Sequence, residues 1–168
     1  MQYKVGIGYD IHRLIEGRPL FLGAVKIPYI KGLLGHSDGD ALIHALCDAL
    51  LGALALGDIG EHFPDTDPKY QGIASSRLLE IVKGLLDKSG YKINNLDVII
   101  IAQEPTLAPF KKQMKEKICA LLNIGQDLLN IKAKTNEGAD AVGHSEAIAC
   151  FATASLIALP SAHPRNTN

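Results

Sequence analysis

One stretch decides the fold, residues 32–68, which read GLLGHSDGDALIHALCDALLGALALGDIGEHFPDTDP. Apolar side chains recur there at the spacing of one helix face, which predicts a helix over about residues 40–56. Ser37 or Asp38 is the expected N-cap and Gly57 the expected end. The apolar face consists of Leu42, Ala45, Leu46, Ala49, Leu50, Ala53 and Leu54.

The same stretch is rich in polar side chains that a core helix does not need. Asp40, His44 and Asp48 are spaced by four and are expected along the other side of the helix. The residues Asp58–Gly60 and Phe63–Pro68 predict a polar, proline-punctuated loop. Such a loop suits contact with a substrate, although turn and cap chemistry explains its aspartates equally well.

Working outward, residues 3–12 (YKVGIGYDIH) predict a strand with Val5, Ile7, Tyr9 and Ile11 on one face. The other face carries Gly6, Gly8, Asp10 and His12 because side chains two apart point the same way. The glycines leave room beside Asp10 and His12 for a ligand or a closely packed backbone.

The remaining chain alternates strand and helix patterns. The predicted elements are a hairpin at 20–27 turning at Gly23, a helix at 75–89, a strand at 95–103, a helix at 108–122, a strand at 128–135, a loop at 136–145 and an apolar run at 147–159 that fits helix or strand. This order predicts an α/β (α+β) fold. With 47% hydrophobic residues, we expect one domain over residues 1–159 and a frayed tail at 160–168.

Composition excludes several classes of protein. The chain has 168 residues with 17 Lys+Arg against 18 Asp+Glu, so no bulk attraction to nucleic acid is expected. Cys47, Cys119 and Cys150 are widely spaced and odd in number, which favours buried, reduced thiols. We find no signal peptide pattern and no uncharged apolar run of roughly 18 residues. These features predict a cytoplasmic protein that binds no membrane.

Three residues suggest a metal site. Asp10 and His12 share a strand face, and His44 on the predicted helix could supply a third ligand. Two histidines and one carboxylate are typical of a catalytic zinc site with an open position, and equally of a non-haem iron site. Spacing alone leaves open that each is an ordinary hydrogen-bonded residue.

Two further groups suggest phosphate chemistry. His36 and Ser37 precede a helix, whose N-terminal N–H groups favour an anion, although a simple N-cap explains them too. Lys134-Thr135-Asn136-Glu137 ends a strand with a cation, a hydroxyl and a carboxylate, which suits a diphosphate with magnesium. Taken singly, each of these four also fits a solvated strand end.

Together the motifs YDIHRL, residues 32–68, IIAQEPTLAP and KAKTNE closely resemble the family of 2-C-methyl-D-erythritol 2,4-cyclodiphosphate synthases over residues 3 to about 158. The resemblance implies a lyase of the non-mevalonate isoprenoid pathway. Its substrate would be 4-diphosphocytidyl-2-C-methyl-D-erythritol 2-phosphate, and its products the cyclic diphosphate and CMP. It also implies a single mixed sheet with helices on one side, assembled as a homotrimer with active sites between subunits.

The resemblance assigns roles residue by residue. It implies that Asp10, His12 and His44 bind Zn²⁺ or another divalent transition metal, and that Glu137 binds Mg²⁺ or Mn²⁺. His36 and Thr135 would stabilise the transition state. Besides Asp10, His12, His36, Thr135 and Glu137, the implied substrate contacts are Ser37, Asp58, Ile59, Gly60, Phe63, Pro64, Asp65, Thr66, Asp67, Ala102, Gln103, Glu104, Pro105, Thr106, Leu107, Ala108, Lys134 and Asn136.

Two alternatives stand beside this interpretation. One is a metal-dependent phosphohydrolase of small phosphate esters, and the other a trimeric isoprenoid-diphosphate binder with structural zinc. Ala141 and His144 replace an aromatic residue and an arginine that many relatives carry, which weakens the binder hypothesis. The full set of predicted ligands also argues against a protein that only lines an apolar channel.

Overall fold

The computed structural model describes residues 2–160, so the expected tail lies, beyond Pro160, outside the described residues. Within them the chain forms a five-stranded sheet in the order β4-β1-β7-β5-β6, and β2 pairs with β3 in a separate hairpin. The strands are β1 (Tyr3–Glu16), β2 (Leu20–Leu22), β3 (Val25–Ile27), β4 (Lys31–Leu33), β5 (Tyr91–Ile101), β6 (Leu129–Lys134) and β7 (Ala147–Ala158).

The strand β7 resolves the ambiguous apolar run at 147–159. It pairs antiparallel with β1 on one side and with β5 on the other, so both edges of its backbone are hydrogen-bonded. β5 pairs parallel with β6, which makes the sheet mixed. The pairing partners of β7 lie far away in sequence, so its own composition could not distinguish helix from strand.

Helices cover one face of this sheet. They are α1 (Ala41–Leu54), α2 (Ile59–His62), α3 (Ser75–Lys88) and α4 (Lys111–Leu122). The one-turn helix α5 (Asp140–Gly143) packs on the opposite face, where Val142 contacts Ala149 and Ile101. Gly8, Ala152, Val98 and Ile131 lie in register across four strands and share the helix-covered face. α1 packs on β1 and β7, α3 contacts β5, and α4 contacts β6. The predicted α/β (α+β) class with helices on one side is therefore confirmed.

Two glycines let α1 approach β1 closely. A Cβ built on Gly8 would lie 1.9 Å from the carbonyl oxygen of Ala45, and one on Gly6 would lie 2.1 Å from that of Ala49. The open face of β1 therefore serves backbone packing, as the strand pattern allowed. This contact brings His44 of α1 above Asp10, two residues beyond Gly8.

The ends of α1 differ from expectation. Asp40, rather than Ser37 or Asp38, is the N-cap, and its fully buried carboxylate accepts hydrogen bonds from the N–H groups of Gly23, Ala24 and Ile43. Asp40 therefore does not share an exposed polar side with His44; it ties the hairpin to the helix. The C-cap is Ala55 in the left-handed conformation, two residues before Gly57.

Other predicted boundaries shift by a few residues. β1 continues to Glu16, and β5 begins at Tyr91, earlier than the apolar pattern indicated. The helix predicted at 108–122 starts as a 3₁₀ turn, Ala108–Phe110, before α4. Among residues 2–160 no helix is long and apolar enough to span a membrane.

The face of the sheet opposite α1, α3 and α4 carries exposed apolar side chains. Val5 and Ile7 are 68% and 71% exposed, and Tyr9 stacks on Phe151 at a ring-centroid distance of 4.7 Å. Parity along β1 is as predicted, with Val5, Ile7, Tyr9 and Ile11 on this face. An apolar face of this kind is typical of a surface that meets another protein chain.

Candidate active site

β1 and α1 bring Asp10, His12 and His44 together. The Oδ2 atom of Asp10 lies 2.9 Å from Nδ1 of His12 and 3.0 Å from Nδ1 of His44. One ligand-type atom from each residue falls within 4.8 Å of the others, and all three side chains are largely shielded from solvent. The sequence-predicted candidate ligands thus form a compact cluster, which we term the triad.

Charge coupling dominates the electrostatics of the triad. Burial opposes ionisation of Asp10, but its contacts with the imidazoles of His12 and His44 outweigh burial and lower its pKa to about 2. Burial also opposes the charged form of His44 and so tends to lower its pKa. The contact with Asp10 outweighs burial and raises the pKa of His44 above its ordinary value. Asp10 is therefore an anion at neutral pH, in the form that a cation binds.

The donor set fits a divalent metal. Within residues 2–160, the buried Nδ1 of His12 makes no hydrogen bond of acceptable geometry, although Asp10 Oδ2 lies 2.9 Å away. Two imidazole nitrogens and one carboxylate oxygen are a donor set that zinc and related divalent ions bind.

His36 and Ser37, which the sequence places at the start of α1 as candidate phosphate contacts, lie beside the triad. Asp40 occupies the N-terminus of α1 and accepts a hydrogen bond there from Ile43 N. Ser37 Oγ instead lies 3.1 Å from Nε2 of His44 and accepts a hydrogen bond from Gly39 N. The mostly exposed His36 has its Nδ1 3.2 Å from Asp65 Oδ2.

The turn after α1 is held by aspartates. Asp48 Oδ1 accepts a hydrogen bond from Ile59 N at 2.8 Å, so this residue fixes the turn rather than contacting the triad. Asp58 caps the one-turn helix α2 by accepting from Glu61 N. Asp67 likewise caps the turn Pro68–Tyr70 and pairs with Lys69. Turn and cap chemistry therefore accounts for Asp58 and Asp67 in this structure.

A cavity of about 730 Å³ opens beside the triad. Predicted residues that line it, besides the triad, are His36, Ser37, Ile59, Gly60, Phe63 and Asp65. Phe63 packs edge-on against Tyr70, at 5.3 Å between ring centroids, and forms part of its wall. Of the other substrate contacts predicted in residues 58–67, Asp58, Pro64, Thr66 and Asp67 do not line this cavity. The volume suits a small phosphorylated molecule.

The remaining predicted residues form a second group, Ala102–Ala108 and Lys134–Glu137, which we term the strand-end group. Ala102 N donates to Lys134 O at 2.9 Å, so the loop is tied to the end of β6. Gly138 N reaches Gln103 Oε1 at 3.4 Å, and Thr135 Oγ1 donates to Glu137 Oε1 at 2.7 Å. The loop contains a cis Glu104–Pro105 bond, and Tyr29 OH donates to Glu104 Oε2.

The strand-end group does not line the triad cavity of the same chain. Asp10 lies level with Ala133 across the sheet, but β1 and β6 are separated by β7 and β5. Three strand spacings correspond to about 14 Å. The triad and the strand-end group therefore lie at the same end of the sheet as two separate groups within one chain.

Sequence reasoning missed three residues near the triad. Arg13 lines the cavity as the next residue after His12. Asp38 and Ser75 meet behind His44, where Ser75 Oγ lies 2.8 Å from Nε2 of that ring. Asp38 is next to Ser37 and was a candidate only for the N-cap of α1. Nothing in the sequence indicated that residue 75 contacts residue 44.

The fold and this cluster define a class of protein: an α/β enzyme built on one mixed sheet, with a candidate two-histidine, one-carboxylate metal site at a ligand-sized cavity. Comparison with known proteins gives the family. The chain belongs to the YgbB family, whose model matches residues 3–157. The 2-C-methyl-D-erythritol 2,4-cyclodiphosphate synthase of Clostridium perfringens is 59% identical over 145 residues, which cover 86% of this chain and 93% of the relative.

Solved structures agree with this assignment. The bifunctional IspDF of Campylobacter jejuni superposes with a TM-score of 0.90 at 39% identity, covering 94% of this chain but only 43% of that longer one. A CDP complex of IspF from Plasmodium falciparum superposes with a TM-score of 0.83 at 37% identity, covering 94% of this chain and 97% of that one.

Proposed function

We propose that this chain converts 4-diphosphocytidyl-2-C-methyl-D-erythritol 2-phosphate to 2-C-methyl-D-erythritol 2,4-cyclodiphosphate and releases CMP. The observation that carries the proposal is the convergence of Asp10, His12 and His44 at a cavity of about 730 Å³. The 59% identity with a named synthase supports the same conclusion. The CDP bound to a solved relative is consistent with a cytidine nucleotide as part of the substrate.

The reaction is an intramolecular phosphoryl transfer. An oxygen of the 2-phosphate attacks the β-phosphorus, a new P–O–P bond closes the ring, and the bond to the α-phosphate oxygen breaks so that CMP leaves. Two anionic groups must meet in line, so the barrier falls mainly through positioning and charge neutralisation. Bound Zn²⁺ and Mg²⁺, or related divalent ions, would polarise phosphate oxygens and offset their charge.

The triad side would bind the phosphorylated methylerythritol. Asp10, His12 and His44 would hold the transition metal next to the cavity. His36 would donate a hydrogen bond to the phosphates, since its exposed imidazole stands at the cavity wall. Ser37 would make a further phosphate contact.

The triad side would also bind the sugar. Ile59 and Gly60 line the cavity, and Asp48 holds the turn that carries them. Phe63 offers an apolar wall, and the carboxylate of Asp65 would accept a hydrogen bond from a sugar hydroxyl. Asp58, Pro64, Thr66 and Asp67 would complete the sugar contacts when substrate is bound.

The strand-end group would bind the nucleotide half. Residues Ala102–Ala108 would surround the cytosine with backbone groups. Glu137 offers an exposed carboxylate, and magnesium commonly uses one or two carboxylates together with substrate phosphates and water. Thr135, hydrogen-bonded to Glu137, would stabilise charge that develops on the diphosphate. Lys134 and Asn136 would add a positive charge and an amide.

These two half-sites would meet between subunits of a homotrimer. The apolar face of β1, with Val5, Ile7 and Tyr9 exposed, supports burial against other copies of the chain. The distance across the sheet supports a shared site, since about 14 Å separates the half-sites within one chain. Light scattering of the purified protein should give three times the chain mass of 18.0 kDa.

The phosphohydrolase alternative rests on the same triad, because a metal-bound water could attack a phosphate ester. It does not account for the strand-end group, which a simple phosphatase does not require. Location in the cytoplasm stays a prediction from the sequence.

Phosphorus NMR of the purified protein with the diphosphocytidyl substrate, Zn²⁺ and Mg²⁺ tests the proposal. We expect signals of CMP and a cyclic diphosphate to grow together. Inorganic phosphate instead of the cyclic product would indicate the phosphohydrolase. Absence of turnover with both metals present would contradict both activities and leave the non-catalytic binder.

A further inference from the structure

The ring of His44 is held from both sides. Its Nδ1 atom faces Asp10 at 3.0 Å, on the side of the triad. Its Nε2 atom faces away, 2.8 Å from Oγ of Ser75. Ser75 is the first residue of α3 and is fully buried, so water cannot replace this contact. The Nε2 side of the imidazole ring therefore contacts protein groups instead of solvent.

Asp38 holds Ser75 in place. Ser75 Oγ lies 2.5 Å from Asp38 Oδ1, and Ser75 N donates to Asp38 Oδ2 at 3.1 Å. The same carboxylate accepts from Asp40 N at 3.2 Å. Asp38 therefore links the segment before α1 to the start of α3, and it fixes the hydroxyl of Ser75 in one direction.

The direction of the hydrogen bonds follows from the donor inventory. An ionised carboxylate only accepts, so the single hydroxyl proton of Ser75 goes to Asp38. Ser75 Oγ can then only accept from His44, which places a proton on Nε2. Ser37 Oγ, at 3.1 Å, is a second acceptor for the same N–H. A metal ion held by Asp10 and His44 would take the place of the proton between Nδ1 and Asp10 and leave the proton on Nε2.

We propose that Asp38 and Ser75 are positioning residues that fix His44 in the Nε2–H tautomer, so that Nδ1 binds the metal. This inference rests on the proposed metal site of the synthase. A carboxylate–hydroxyl–imidazole series of this kind orients a ligand ring and makes it a better donor. Neither residue touches the substrate cavity, and both act through His44.

A purely structural role makes a different prediction. Asp38 accepts from the first N–H of α3, and that helix has no side-chain cap of its own at Ala74. If capping were the whole role, removal of the Ser75 hydroxyl would change stability and leave metal affinity alone. Zinc affinity and the tautomer of His44 therefore separate the two roles.

Zinc binding by the full chain, measured with a competing chelator and without substrate, tests the inference. Ser75→Ala should weaken zinc affinity by about 10–100-fold. Ser76→Ala, at the next position of the same helix turn, is the matched control and should bind zinc like the unsubstituted protein. The melting temperature of each metal-free variant reports whether folding has changed.

Long-range ¹H–¹⁵N NMR of the unsubstituted, zinc-loaded protein reads the tautomer directly. We expect His44 to carry its proton on Nε2 and the metal on Nδ1. A metal on Nε2 would overturn the proposal, and this measurement decides even if Ser75→Ala fails to fold. Equal zinc affinity in folded Ser75→Ala and Ser76→Ala would overturn it as well. Because no turnover is measured, the inference and the proposed synthase activity can fail separately.

Discussion

At the scale of single residues, His44 joins the triad to the core. It lies on a buried helix, contacts Asp10 in front and Ser75 behind, and is itself buried. Replacing it with alanine removes one of three candidate ligands and leaves Asp10 with one imidazole. We expect His44→Ala to lose bound zinc and activity together.

Metal analysis beside a turnover assay checks this prediction. His62, whose ring contacts the carbonyl oxygen of Leu56 outside the triad, provides a control histidine. His62→Ala should keep its zinc. Full activity in a zinc-free His44→Ala protein would show that the ligand assignment is wrong.

Glu137 makes a separable prediction because it belongs to the strand-end group. Its exposed carboxylate accepts from Thr135, and its substitution disturbs no buried contact. Glu137→Gln removes the charge and keeps the shape, so the magnesium concentration for half-maximal activity should rise roughly tenfold or more. Zinc content should stay unchanged. Loss of zinc in this variant would mean that the two metal roles have been confused.

At the scale of elements, the contact between α1 and β1 sets the geometry of the triad. Gly8 allows that contact, since a Cβ there would lie 1.9 Å from Ala45 O, a backbone atom that cannot turn away. Gly8→Ala should lower the free energy of unfolding by about 3 kcal/mol or more, because the helix must move off the strand. Zinc affinity should fall with it, as His44 moves away from Asp10.

Chemical denaturation of Gly8→Ala beside Gly84→Ala measures this effect. Gly84 lies within α3 with open space around its Cα, so alanine there should be neutral or stabilise by about 0.5–1 kcal/mol. If Gly8→Ala were as stable as Gly84→Ala, the close approach of α1 and β1 would not be required.

The sequence predicted these elements well where periodicity was strong. α1, α3 and the parity of β1 followed from apolar spacing, and residue type suggested the members of the triad as candidate ligands, an assignment that spacing alone left open. The predicted N-cap of α1 was wrong because Asp40 is held by hydrogen bonds from Gly23 N and Ala24 N, which belong to a hairpin distant in sequence. The contact between Ser75 and His44 was missed for the same reason: it depends on how α3 packs beside α1. Long-range packing leaves no local signature.

At the scale of the whole molecule, the proposed active site is divided. The triad cavity and the strand-end group stand at one end of the sheet, separated by two intervening strands. In a closed trimer, the triad of one subunit would face the strand-end group of the next. A triad variant and a strand-end variant should then complement each other when they share an oligomer.

Turnover by mixed oligomers tests this central claim most directly. His44→Ala chains and Thr135→Ala/Glu137→Ala chains, each with its own tag, are co-expressed and purified through both tags. Either variant alone should be nearly inactive. Every mixed trimer contains one interface with both halves intact, so we predict about one third of the unsubstituted activity. Mixed oligomers no more active than their parents, beside an active unsubstituted enzyme, would contradict a site shared between subunits.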